Sequence, residues 1–249
     1  MFRKSLTALA LCATGATGAA AQTVDELIAK HITARGGMDK LKAAQSVRMS
    51  GRMNMGPIEA PFTMEWKRPA SMRIDFTLQG MTGTQAYDAG SGWAVMPFGG
   101  STNPEPMSAD DLKEFEEQAD FDGPLVEYKT KGNTVELVGK EAVEGTDTHK
   151  IKVTLKNGDV RYIFLEADTF LDIRSEGKRK VRGSEQEVES SLGEFKDVGG
   201  LVLAHSIESG IKGNPQRQKL TIDKVEINVP LDAARFKMPE KKPEPAEKK

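Results

Sequence analysis

Cysteine is almost absent: the 249-residue chain has one, Cys12, and it falls in an N-terminal run that reads as a secretory signal. Arg3 and Lys4 open that run, Leu6 to Ala13 form its apolar middle, and Ala19-Ala20-Ala21 supplies a small-residue cleavage site before Gln22. Cleavage there leaves a chain with no disulfide, no thiol nucleophile and no cysteine-bound zinc. Burial and sheet hydrogen bonding must then hold the fold, and the expected compartment is the bacterial periplasm. A lipid-anchor role for Cys12 is disfavoured by Leu11, which stands where such a signal needs a small residue.

Beyond this leader, no stretch approaches the roughly 20 apolar residues of a membrane-spanning helix. Basic residues are not in excess either: 35 Lys and Arg face 37 Asp and Glu, and without Arg3 and Lys4 the balance is 33 to 37. A nucleic-acid binder would need a basic surplus or stripe. Aromatics make up only 6%, too few for the girdles of an outer-membrane barrel. Hydrolase signatures are missing, with no G-x-S-x-G elbow and no H-E-x-x-H helix. His31, His149 and His205 lie far apart, and each reads as a structural histidine. No metal, cofactor or catalytic residue is therefore expected. The glutamates of Glu114-Phe115-Glu116-Glu117 read as a solvated helix face.

What is present is pattern. Thr23-Val24-Asp25-Glu26 is a capping box, followed by Val24, Leu27, Ile28 and Ile32 at helical spacing and closed by Gly36-Gly37. A shorter helix is expected from Met38 to about Ala44. The period then changes to two. Val47, Met49, Met53 and Met55 oppose Arg48, Ser50, Arg52 and Asn54. Phe62, Met64 and Trp66, then Met72, Ile74, Phe76 and Leu78, repeat the alternation. Short strands follow near Thr84–Asp88 and Gly92–Met96.

Residues 97–133 break the pattern with a Gly/Pro loop and a helix capped by Ser108, on which Leu112, Phe115 and Ala119 form a narrow apolar stripe. Strands resume at Thr134–Gly139, His149–Lys156, Val160–Glu166, Leu171–Gly177, Glu185–Phe195, Leu201–Glu208 and Gln218–Asn228, with Asn157-Gly158 as a hairpin turn. The expectation is a mainly β (α+β) fold of about eleven or twelve antiparallel strands, curved, with helices over its concave side. The domain spans 22–238, and 239–249 is a charged, proline-containing tail that cannot bury anything.

The order of several segments resembles the LolA/LolB-like superfamily, in particular its outer-membrane lipoprotein-sorting group. These segments are Ala34-Arg35-Gly36-Gly37-Met38-Asp39-Lys40-Leu41 and the strand from Val47 to Gly51, Gln85-Ala86-Tyr87-Asp88 running into Gly92-Trp93, and Tyr162–Glu166 running into Leu171. Phe195–Ser206 with Gly199-Gly200-Leu201, and Ile227-Asn228-Val229-Pro230-Leu231 before Phe236, complete the series. The resemblance implies a half-open antiparallel barrel with helical lids, enclosing an apolar cavity for acyl chains.

Of the 11 methionines, Met49, Met53, Met55, Met64 and Met72 fall on the dry faces of the first three strands. Two readings stand: an adaptable wall for varied apolar guests, or core filling beneath the helices. Taken with the resemblance, the first makes the protein a periplasmic carrier or sensor of a lipid or lipoprotein acyl chain. Its expected wall is Met49, Met53, Phe62, Met64, Trp66, Met72, Ile74 and Phe76. Burying sixteen methylenes gains on the order of 13 kcal/mol in gross, enough for useful affinity without any charged contact. The second makes it a cell-envelope interaction module of the same fold, with a filled interior and a protein partner. An enzyme acting on envelope lipids would need an acid/base pair that the sequence does not display.

Overall fold

The computed structural model describes residues 22–240 except 101 and 182. The leader with Cys12, and 241–249 of the charged tail, lie outside the described residues. Helix α1 (Val24–Ala34) starts at the expected capping box, Thr23 and Glu26 exchanging backbone and side-chain bonds. It ends at Gly36, whose φ of +112° and whose distance from the Gly200 carbonyl (a Cβ would lie 2.0 Å from that oxygen) leave no room for a side chain. Helix α2 (Met38–Ala43) follows directly.

Five meandering strands come next: β1 (Ser46–Met55), β2 (Ile58–Lys67), β3 (Ser71–Leu78), β4 (Met81–Asp88) and β5 (Ser91–Val95). After the two-residue β6 (Glu105–Pro106) lies α3 (Ala109–Gln118), capped by Ser108. A second meander holds β7 (Thr134–Val143), β8 (Thr146–Thr154), β9 (Val160–Glu166), β10 (Asp172–Val181) and β11 (Ser184–Gly193). The hairpin of β12 (Lys196–Val198) and β13 (Leu201–Leu203), then β14 (Ser206–Ile211) and β15 (Gln218–Ile227), complete the chain. Asn157-Gly158 sits in the β8–β9 turn, where the Leu155 amide donates to the Asp159 carbonyl at 2.8 Å.

Among the described residues the main sheet has 13 strands in the order β6-β5-β4-β3-β2-β1-β15-β14-β11-β10-β9-β8-β7, all antiparallel, and it does not close. This exceeds the eleven or twelve expected. The thirteenth strand is β6; Leu201–Glu208 is not one strand either, for the chain breaks at Ala204-His205, so that β13 pairs with β12 in a separate hairpin and only β14 joins the main sheet. First and last strands meet in the centre, β1 against β15. A bulge after Ser50 brings Gly51 so near the Thr221 carbonyl that a Cβ would lie 1.9 Å away.

Register separates two faces. On the inner one stand Val47, Met49 and Met53 of β1, opposite Trp66, Met64 and Ala60 of β2 and Ile227, Val225 and Leu220 of β15. All three helices pack here. The outer face carries Arg48, Glu65 and Arg73. It is crossed by residues 228–238, whose short 3-10 turn (Ala233–Phe236) buries Phe236 against β3 and β4.

Candidate functional site

Two apolar clusters lie on the inner face. The first gathers all eight wall residues expected from the sequence: Met49, Met53, Phe62, Met64 and Met72 are buried, while Trp66, Ile74 and Phe76 are half-buried and packed against them. Above them sit Leu41 of α2, Phe115 of α3, and Ala119, Phe121 and Val126 of the segment after α3. The fit is tight. Beside Trp66, Val47 and Phe121 the cavity is only about 10 Å³, room for one water at most and none for a hydrocarbon tail. The second cluster docks Leu27 and Ile28 of α1 onto Ile151, Val153, Ile163 and Leu165 of β8 and β9.

The roof over the first cluster is held largely by polar contacts. Trp66 donates its indole N–H to the Gln118 carbonyl at 2.9 Å and tilts against Phe121 at 6.0 Å. Arg68, at the end of β2, grips both Asp122 oxygens at 2.7 Å and donates to the Leu41 and Ala44 carbonyls at 2.9 and 2.8 Å. Arg35 donates to the Asp122 carbonyl at 2.5 Å. The Asp122 carboxylate holds the Arg68 guanidinium above its ordinary pKa. None of this was visible in the sequence, where Arg68 and Asp122 are separated by a helix and four strands.

Helix α3 also reaches the other half of the sheet. Glu117 takes two bonds from Arg161 of β9 at 2.8 and 2.7 Å, Glu114 pairs with Arg179 of β10 at 2.7 Å, and Lys113 with Asp159 at 2.8 Å. Glu114 and Glu117 are therefore not a solvated helix face: their side chains retain 26% and 32% exposure, turned toward β9 and β10. Burial pushes the Glu114 carboxyl up, helped by Asp111 and Glu117 and opposed by Arg179 and Gln118. Only Glu116, paired with Lys156 at 3.5 Å, fits the solvated reading.

Among the described residues, neither cluster takes a side chain from β10 or β11. The inner face there is half-buried and fitted with small residues: Ser175 and Gly177, then Ser190, whose hydroxyl meets that of Ser209 at 2.9 Å. Leu192, Ile207 and Leu220 border this strip, also half-buried. The strip of β10 and β11 thus belongs to neither the core under α1 nor the one under α3.

Two of the three histidines, far apart in sequence, converge on Phe170. His31 on α1 is buried and donates Nδ1–H to the Phe170 carbonyl at 2.9 Å. His149 stacks on the Phe170 ring at 6.3 Å, and Lys30 lies over it at 4.7 Å. Burial pushes His31 below its ordinary value, aided by Arg35 and opposed by Asp172 and the Phe170 bond. Burial, Lys140 and Lys30 push His149 down as well. A lowered histidine pKa means that the folded state resists the proton. Stability is then full above the ordinary 6.5 and is lost as pH falls from there through the folded values. Urea midpoints measured between pH 7.5 and about 5 are expected to fall, and His31→Asn, whose amide can still donate to Phe170, should flatten the profile. A midpoint independent of pH in the wild type would refute this. His205 is buried too, with Nδ1 3.0 Å from the Leu203 carbonyl.

An open antiparallel sheet with helices on its apolar face defines the fold class. No protein-family model matches the sequence, and no curated protein matches it either. Solved structures do match in fold. A DUF1329 family protein from Desulfovibrio piger is 13% identical, with a TM-score of 0.59 over 86% of this chain and 97% of that one. The LolA superfamily protein NE2245 from Nitrosomonas europaea is 13% identical, with a TM-score of 0.58 over 87% and 98%. A domain provisionally assigned to outer membrane lipoprotein sorting, from Vibrio parahaemolyticus, is 12% identical, with a TM-score of 0.57 over 84% and 94%. The chain has the fold of LolA-superfamily structures, as the resemblance in its sequence implied.

Proposed function

We propose that this protein is a periplasmic, non-enzymatic carrier or sensor that holds a lipid or lipoprotein acyl chain against the inner face of a half-open barrel, with α1 and α3 as lids. The observation that carries the reading is the contrast between wall and roof. The wall is a set of methionines and aromatics able to adapt to a guest. The roof is fastened by Arg68, Arg161, Arg179 and Trp66 through a few discrete polar bonds. In the form described here the roof is shut, so a guest must lift α3 and take the place of Phe115 and Phe121. The leader read from the sequence supports the periplasmic address.

Extraction of the purified protein with organic solvent, followed by mass spectrometry, tests the reading, with co-purifying lipid as the expected result. Trp66→Ala should weaken uptake of a fluorescent fatty-acid probe severalfold, since it removes both a wall surface and a roof bond, with the fold checked by circular dichroism. Unchanged uptake would remove Trp66 from the wall. The tight packing beside Trp66 favours a second reading, an envelope interaction module with a protein partner and no lipid. A lipid-free extract together with a stable partner would establish that one instead.

A further inference from the structure

We propose that the hydrocarbon chain reaches the inner face through the charge-poor corner at the β3–β4 hairpin, past a gate made by Phe98 resting on Gly83; this rests on the carrier reading above. Three of the large apolar side chains that the described residues leave exposed belong to this end: Ile58 at 48%, Met81 at 41% and Phe98 at 38%. They gather at one end of the inner face. Leu78 pairs with Met81, Phe76 with Gly83 and with Phe62, and Ile58 shares its face with Ala60 and Phe62. Along β3 burial decreases in this direction, from Met72 at 1% exposure to half-buried Ile74, Phe76 and Leu78. The roof contacts of Gln118 and Phe121 lie at the far end of the same strands, on Trp66.

Charge is depleted in step. Residues 76–104 contain a single charged side chain, Asp88, in a chain that is 29% charged. A lip poor in charged groups lets a methylene chain slide from water to wall while stripping little hydration from ions. The gate itself is a ring on a bare backbone. The Phe98 and Phe76 rings stack at 5.6 Å, and a Cβ on Gly83 would lie 2.9 Å from Phe98 and 2.7 Å from Phe76. Phe98 is carried by a three-residue 3-10 turn, Pro97–Gly99, ended by Gly100 at φ +88°. Rotation of that turn uncovers Phe76 and Gly83 without breaking a sheet bond.

Stopped-flow fluorescence with the methyl ester of cis-parinaric acid, a neutral probe, separates the way in from the resting place. Ile58→Lys with Met81→Lys should slow association and dissociation alike by about tenfold, leaving Kd unchanged, because a charged lip raises the barrier and not the bound state. Phe98→Ala should speed both, and Val138→Lys, exposed on the opposite edge strand, should do neither. If the wild type binds the probe and the lysine pair leaves both rates unaltered, or speeds dissociation without slowing association, the proposed route is wrong while the carrier reading stands. Loss of vesicle binding with unaltered uptake rates would make this end a membrane contact and overturn the route. A wild type that takes up no probe overturns both.

Discussion

Asp122→Ala is expected to destabilise the protein by about 3 kcal/mol, because it leaves the Arg68 guanidinium sunk in the roof with only carbonyls for partners. The Asp122 side chain retains 10% exposure and that of Arg68 27%, so solvent can rescue little of the abandoned charge. Chemical denaturation should show the midpoint shifting at constant slope. Arg68→Leu alone should lose a similar amount, since it frees the Leu41 and Ala44 carbonyls as well as the carboxylate. Combining Arg68→Leu with Asp122→Leu should recover a good part of the sum, for a buried pair is often replaceable by apolar groups of like size. Strictly additive losses would show that the two side chains do not act as one clasp.

The same clasp ties stability to function in the carrier reading. Arg68 joins the end of β2 to α2 and to the segment after α3, so it couples the wall strand to two parts of the roof. Destabilising the clasp should therefore raise the population of the lifted form. Asp122→Ala is expected to take up the fatty-acid probe faster than the wild type even though it unfolds more easily. Slower uptake would mean that the roof organises the guest site instead of covering it.

How far the sequence reveals this arrangement depends on what each residue sees. Strands β1 to β3 are legible because one side is dry and the other wet, so Met49, Met64 and Met72 announce their face at period two. Strand β11 is not, for its inner side is Ser190 and half-buried Val188 while its outer side is Glu187 and Glu189. The clasp is illegible for a different reason. Nothing in the local context of Asp122, in an irregular segment, distinguishes a buried ligand of Arg68 from a loop carboxylate. Glu114 and Glu117 misled in the same way: on an isolated helix they face water, and only the curl of the sheet brings Arg161 and Arg179 up to meet them. The eight wall residues could be named from alternation, but not that Phe115 and Phe121 would pack down on them.

Phe236→Ala should remove about 3–5 kcal/mol of stability, the usual range for truncating a buried aromatic, and yet leave lipid uptake intact. The ring is 1% exposed and lies on the outer face, opposite the helices. Around it, Trp93 donates its indole N–H to the Phe236 carbonyl at 2.9 Å, Arg73 donates to the Arg235 carbonyl at 2.8 Å, and Lys67 to that of Leu231 at 2.7 Å. Arg235 completes the strap by sharing Glu65, itself 1% exposed, with Arg48, each bond 2.9 Å. Truncating the ring loosens this strap, which should redden the emission of Trp93 as water reaches it and lower the urea midpoint. The guest, however, is placed against Met49, Met64 and Met72 on the inner side, with a whole sheet between. Probe affinity measured below the unfolding transition should consequently stay within about twofold of the wild type, since substitutions without shared partners act independently. If affinity collapses together with the strap, the guest does not sit under α3, and the outer face beneath the strap becomes the place to look for it.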